Sequence, residues 1–298
     1  MNIKNLYNKN CNPKRVVVLG SNGFISSAVI RRLSSLGIET LNISRKTHDL
    51  ENPNSVEKLI KLINSDDILL FVAANAPVKN NEMLRSNLLI CNNICDLLQK
   101  KSVDHLIYIS SDAVYKDSDK DLNEDSCAEP SSLHGIMHLA RETMLKNSYN
   151  GPICILRPTL IYGNGDPHNG YGPNRFYRNA INNEEINIFG KGEERRDHIN
   201  IDDVAEIICF SILRKSIGLL NIASGQILSF VDIAKHIIHT TKSKSNINYL
   251  PRVGVMPHNG FRPFDVSLIN KNFPEINVKE ILKGIDIMHE NNLKIDNN

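Results

Sequence analysis

The sequence predicts an α/β protein: a doubly wound parallel sheet covered by helices on both faces, joined to a smaller, discontinuous second domain. Three observations carry this. Apolar runs of strand length recur between stretches of helical periodicity, and their lack of polar alternation marks strands buried on both faces. The first run ends in a glycine turn that opens straight into an amphipathic helix. After Gly163 the alternation breaks into a segment rich in Gly, Pro and Asn, then resumes. With 298 residues the chain is long enough to bury a core of this kind.

Taken in order, residues 1–13 read as a polar leader. "RVVVLG" (15–20) is a β-branched strand closed by glycine, and "NGFISSAVIRRLSSLG" is a helix stopped by Gly37. "ETLNIS" (39–44) reads as a second strand, "NSVEKLIKLIN" as a helix opened after Pro53, and "DDILLFVAA" (66–74) as a buried strand. "MLRSNLLICNNICDLLQKK" is a helix, followed by strands at "HLIYISS" (105–111) and "GPICILRP" (151–158). "GNGDPHNGYGPNRF" has no periodicity and reads as a loop entering the second domain. Beyond it come the helix "INIDDVAEIICFSILRK", the strand "LLNIAS" (219–224), a helix from about Ser229 and a last helix within "NVKEILKGIDIMHENN". The first domain is therefore expected at 14–162 plus 199–226, the second at 163–198 plus 227–290, and a polar tail at 291–298.

Composition narrows the function. A net charge of +2, with no Lys/Arg cluster interleaved with aromatics, gives no basis for a nucleic-acid partner. No early apolar run suits a signal peptide, and no segment nears the roughly 18 apolar residues of a membrane span, so no membrane association and a cytoplasmic location are expected. The six cysteines lie in apolar contexts without CxxC spacing and read as reduced, buried thiols. Cys91 and Cys95, four apart on a helix, lack the two further ligands a zinc site needs, so no metal is expected.

In "GSNGFIS", Gly20 permits a tight turn, Gly23 lets a pyrophosphate approach the backbone, and the helix start supplies N–H donors; Ser26 stands where a third glycine often sits. On the first strand of an alternating α/β chain this pattern points to dinucleotide binding, with a plain structural turn as the alternative. The second strand ends in Ser44, Arg45 and Lys46 rather than an acid, which suits a 2′-phosphate, so NADP is expected, with NAD as the alternative. Asp49 reads either as an adenine contact or as a helix-start carboxylate.

Together these segments resemble the extended short-chain dehydrogenase/reductase family, and within it the nucleotide-sugar epimerases and dehydratases, from about Lys14 to Gly284. "GSNGFIS" is similar to the family's cofactor turn, "FVAAN" to its alanine pair, "RSNLL" to its helix asparagine, and "SSDAVYK" to its active-site strand end. "ILRPTLIYG", "FGKGEERRDHINIDDVAE" and "LNIASGQ" resemble the segments that lead to and bind the nucleotide diphosphate. The resemblance implies a cofactor site of Gly20, Asn22, Gly23, Phe24, Ile25, Ser44, Arg45, Lys46, Asp49, Leu50, Ala73, Ala74, Asn87 and Pro158. It implies that Ser111 hydrogen-bonds the reacting sugar oxygen, and that Arg196 and Arg262 grip the diphosphate. For Arg196 the alternative is an ion pair with a neighbour such as Glu193 or Asp197, and for Arg262 an ion pair stands level with the diphosphate contact. Asn174, with His168, Asn169 and Arg175, falls where the substrate loop begins. Asp112 resembles the acid of sugar dehydratases, but Ala113 stands in place of the accompanying glutamate, which weakens elimination of water.

The family's Tyr-x-x-x-Lys pair follows a proline, with Gly just after the tyrosine and Glu further on. Pro130, Gly135 and Glu142 hold that register here, yet the tyrosine's place is His134 and the lysine's is His138. Histidine titrates near neutrality without a helping cation, so His134 suits acid/base work and neutral His138 suits the nicotinamide ribose. The same pair also suits a decayed site. A zinc reading fails because the HExxH pattern needs Glu where Gly135 stands. The expected activity is epimerisation or keto-reduction of a nucleotide-linked sugar, with a dehydratase or a non-catalytic NADP(H)-binding sensor as alternatives. The "NLLICNNICDLL" helix suits either a homodimer or an ordinary buried position.

Overall fold

The computed structural model describes residues 1–296. In chain order the elements are β1 (Lys4–Asn5), β2 (Arg15–Leu19), α1 (Phe24–Ser35), β3 (Glu39–Ile43), α2 (Pro53–Ile60), β4 (Ile68–Phe71), α3 (Asn81–Lys100), β5 (His105–Ile109), α4 (Leu133–Ser148), β6 (Ile153–Pro158) and β7 (Leu160–Tyr162). There follow α5 (Pro173–Ile181), β8 (Ile186–Phe189), β9 (Arg195–Asn200), α6 (Ile201–Leu213), β10 (Ser216–Ile222), β11 (Ile227–Ser229), α7 (Phe230–Thr241), β12 (Ile247–Leu250), β13 (Phe261–Arg262), α8 (Ser267–Asn272) and α9 (Ile281–Asp296).

The main sheet has seven strands in the order β1-β10-β6-β5-β4-β2-β3, parallel except for β1. Both faces are covered, as the unbroken apolar strands require. Val16 and Val18 turn to a cluster built with α1 and α6, whereas Val17 and Leu19 turn to one built with α2, α3 and α4. Helices therefore diverge from β2, and the crevice at its carboxyl end is where ligands bind in open α/β sheets. A third cluster joins α5, α7, α9 and β8. Two small sheets, one of β11, β9, β13 and β7 and one of β12 and β8, lie beside it.

The structure departs from the expected chain ends. Residues 4–5 of the leader pair antiparallel with β10, and Ile3 is buried in the first cluster, because a strand at the sheet edge offers unpaired backbone groups. Residues 291–296, expected in a polar tail, continue α9. The loop after Gly163 stops at Gly172, where Pro173 occupies the first turn of α5. Cys11 and Cys127 are exposed, unlike the other four cysteines. Eight of the twenty residues of α3 are buried within the chain, all between Asn87 and Leu98, while Leu89 on the same stretch is exposed. Among the described residues no helix is long and apolar enough to cross a membrane.

Buried imidazoles give the fold a pH dependence. His105 and His198 are shielded from water, and burial lowers them to about 4 and about 3. The unfolded chain binds these protons more tightly, so stability present above about pH 6.5 is lost on acidification, by roughly 2 kcal/mol per histidine at about pH 5. Asp197, pushed up by burial to about 6, acts in the opposite sense and offsets roughly 1 kcal/mol. The unfolding midpoint is expected to fall by about 5 °C between neutral pH and about pH 5. An unchanged midpoint in calorimetry would contradict this balance.

Candidate active site

At the end of β2, Gly20 has φ +93°, and a Cβ there would lie 2.7 Å from the Cα of Ala73. Only glycine lets the neighbouring strand come this close. Ser26 takes the place of a third glycine by closing the turn: its hydroxyl donates to Gly20 O at 2.7 Å and accepts from Gly23 N at 3.0 Å.

From this turn a trough of about 470 Å³ runs past Asn22, Ser44, Arg45, Lys46, Asp49, Leu50, Ala73 and Ala74. Its wall includes His48, whose Nδ1 is buried without a partner, a polar atom that a bound ligand can satisfy. A glycine approach, a helix start and an elongated trough with an unpaired donor or acceptor together fit a dinucleotide. Arg45 is half committed, since its guanidinium donates to Glu51 at 2.8 Å. Asp49 lines the trough and accepts from Glu51 N at 3.1 Å; the start of α2 is capped by Asn52 instead.

Asn87 does not line the trough. It is fully buried, its amide bracketing Asn75 through the backbone N at 2.9 Å and O at 3.0 Å, so it holds the strand end from behind. Sequence similarity marks the position but not this depth.

A second cavity of about 570 Å³ shares Gly23 and Ala74 with the trough and adds Phe24, Ile25, Pro158, Ser111, Asp112, His134, His138, Asn174 and Arg196. Ser111 caps the short turn at residues 112–114, accepting from Ala113 N at 3.1 Å. Ser132 caps α4 by accepting from Gly135 N at 3.1 Å, and so aims the first turn of the helix at the cavity. His134 and His138 project from successive turns, their ring centres 4.7 Å apart and edge to face. Burial lowers the pKa of His134, against an upward pull from Asp112, and lowers that of His138 well below the ordinary value. Both are neutral bases near neutrality. The Nδ1 of His134 has no hydrogen-bond partner.

Arg196 lines the cavity and pairs with Glu194 at 3.3 Å, rather than with Glu193 or Asp197. Asp197 is engaged by Thr159 and Ser224. Arg262 takes the ion-pair alternative: it is 2% exposed, donates to Asp112 Oδ2 at 3.1 Å and Asp117 Oδ1 at 2.8 Å, and does not line the cavity. Two carboxylates within reach hold a guanidinium more firmly than open solvent does. Asn174 lines the cavity, with its side-chain oxygen accepting from Gly163 N at 3.0 Å. His168 also lines it, but Asn169 is bound to Arg178.

Residues that sequence reading passed over also face this space. His198 and His258 line the cavity. The first follows the Arg196-Asp197 pair directly and could have been found from that motif; the second sits in an irregular loop that gives no periodic signal.

A glycine turn on the first strand of a doubly wound sheet, opening beside a capped helix that carries two neutral bases, defines a dinucleotide-type α/β enzyme scaffold. Residues 16–223 match the NAD dependent epimerase/dehydratase family, and the chain belongs to it. It is 26% identical over 272 residues to an ADP-L-glycero-D-manno-heptose-6-epimerase of Brachyspira hyodysenteriae, covering 79% of this chain and 83% of that protein. In fold it is similar to a UDP-glucose 4-epimerase of Thermotoga maritima solved with UDP-glucose, with a TM-score of 0.84, 20% identity, and coverage of 94% of this chain and 99% of that one. It is also similar to a UDP-glucose 4-epimerase of Thermus thermophilus in complex with NAD, with a TM-score of 0.79, 19% identity, and coverage of 92% and 97%.

Proposed function

We propose that this chain is an NAD(P)-dependent epimerase or keto-reductase of a nucleotide-linked sugar, acting in the cytoplasm in polysaccharide or glycoconjugate synthesis. The observation that carries the reading is the convergence of Ser111, His134 and His138 on one cavity continuous with the glycine-turn trough. The dinucleotide, when bound, supplies a reversible hydride acceptor. Ser111 orients the reacting sugar oxygen. His134 takes the proton of that hydroxyl on a ring nitrogen as the carbon is oxidised, then returns it to the oxygen of the reduced sugar. Re-reduction from the opposite face inverts the carbon, and a supplied keto-sugar needs only the second half. His138 holds the ribose, and Arg196 holds the diphosphate. Elimination of water is disfavoured because Ala113 provides no second acid.

We read Arg45 and Lys46 as the 2′-phosphate contacts, favouring NADP over NAD. Replacing both with alanine is expected to weaken NADP binding about tenfold and leave NAD binding unchanged. Equal loss for both dinucleotides in titration would assign the two cations another role.

The activity is tested by incubating the protein with NADP, NADPH and NAD and a panel of nucleotide sugars and keto-sugars, with chromatography and mass spectrometry. A product of unchanged mass and new retention is epimerisation; two added hydrogens is reduction. Tight dinucleotide binding without any product would replace the proposal with the sensor reading.

A further inference from the structure

Tyr108, on β5, lies beneath the cleft and takes no part in the chemistry above. It is 1% exposed, and its hydroxyl is 2.8 Å from Nδ1 of His138. The direction of that bond follows from the neighbours. A buried O–H needs an acceptor. Of the other groups acting on the phenol, Arg141 is a guanidinium that carries only donors, and Cys91 and Glu142 act on it through charge and not as hydrogen-bond acceptors. Among the described residues, Nδ1 is the acceptor hydrogen-bonded to Tyr108, so the tyrosine donates and the histidine accepts. Burial pushes the Tyr108 phenol well above its ordinary value and His138 well below its own, so both stay neutral. A neutral imidazole with its lone pair at Nδ1 carries its proton at Nε2, the nitrogen on the far side of the ring from Tyr108.

We propose that Tyr108 is a positioning residue that fixes His138 as the Nε2–H tautomer, presenting one defined donor to the cavity. A lysine at this position would be a donor in every orientation, whereas a neutral histidine donates from one nitrogen only. The replacement therefore needs a device that chooses the nitrogen. Arg141 beside it is fixed in turn: it donates to Ala73 O at 2.8 Å and to Asn87 O at 2.9 and 2.6 Å, which ties it to the strand end and to the helix α3. The tautomer rests on this hydrogen bond and on the burial of both rings, and not on the proposed function. The donor's target, a ribose hydroxyl of the dinucleotide, rests on the reading of His138 given above.

Long-range proton–nitrogen correlation spectra of the histidine rings test it, with His138→Gln to assign the signals. The expected result is a protonated Nε2 and an unprotonated Nδ1 on His138 in the wild type; the reverse tautomer overturns the proposal. In Tyr108→Phe the signals are expected to show mixed tautomers, and NADP or NAD is expected to bind about tenfold more weakly. Wild-type signals in that variant would overturn the role of Tyr108, and unchanged affinity for both dinucleotides would overturn the ribose contact. A wild type with the expected tautomer but no turnover on any nucleotide sugar would contradict the proposed function and leave this assignment standing.

Discussion

In His134→Ala, turnover is expected to fall by roughly 10²–10⁴, the range for loss of a positioned acid/base. Affinity for the dinucleotide should stay within about twofold, a change of a few tenths of a kcal/mol, because His134 does not line the trough at the glycine turn. The combination separates a proton-transfer role from a packing role. His134 is only partly buried, and its Nδ1 makes no bond that the fold would lose. The pH profile adds a second reading of the same residue. Burial lowers the His134 pKa, so its basic form persists below pH 6.5, and the acid limb of kcat is expected below about pH 6.5. An acid limb above that value would assign the limb to another group. Turnover unchanged in the alanine variant would remove His134 from the mechanism.

A single methyl group one residue away should be nearly as damaging. In Gly135→Ala the new Cβ would lie 2.0 Å from Ala113 O and 2.7 Å from the Cβ of Pro130. The first of these is backbone of the turn that carries Ser111 and cannot swing aside like a side chain. The helix α4 must then retreat from that turn, carrying His134 and His138 with it. Overpacking of this kind costs roughly 1–3 kcal/mol of stability, and a displacement near 1 Å costs about 10²-fold in rate. Denaturant unfolding and turnover should both report the loss. Normal stability together with normal turnover would mean that the contact is not as tight as drawn.

The main sheet was legible because its signal is repeated: each of the strands β2, β4, β5, β6 and β10 is an apolar run, and each is set between helical periodicities. The second unit was less so. β7, β8, β9 and β13 are only two to six residues long, and in β9 the segment "RRDHIN" has no apolar pattern, because its side chains are buried in a polar network around Asp197 instead. Propensity carries no information about such partners.

The site shows the same division. Gly20 and Gly23 could be read from the turn itself, whereas Ser111, His134 and His138 are picked out by their resemblance to the family's motifs, each beside a turn or a cap. Arg262 could not be placed: it is distant in sequence from Asp112, and only the fold reveals that the two are paired. Tyr108 gave no signal at all, since an aromatic residue in a buried strand reads as core until its hydroxyl is found against His138.

The central claim is that two histidines run a site the family builds with tyrosine and lysine. It is tested most directly by mixing the dinucleotide-loaded protein with nucleotide sugars and following the absorbance of reduced nicotinamide. The wild type is expected to show reduction of the bound dinucleotide on oxidation of a sugar, or its reoxidation by a keto-sugar, and His134→Ala is expected to bind the dinucleotide without either signal. The same signal in both proteins, or neither an absorbance change nor an epimerised or reduced product in the wild type, would contradict the claim.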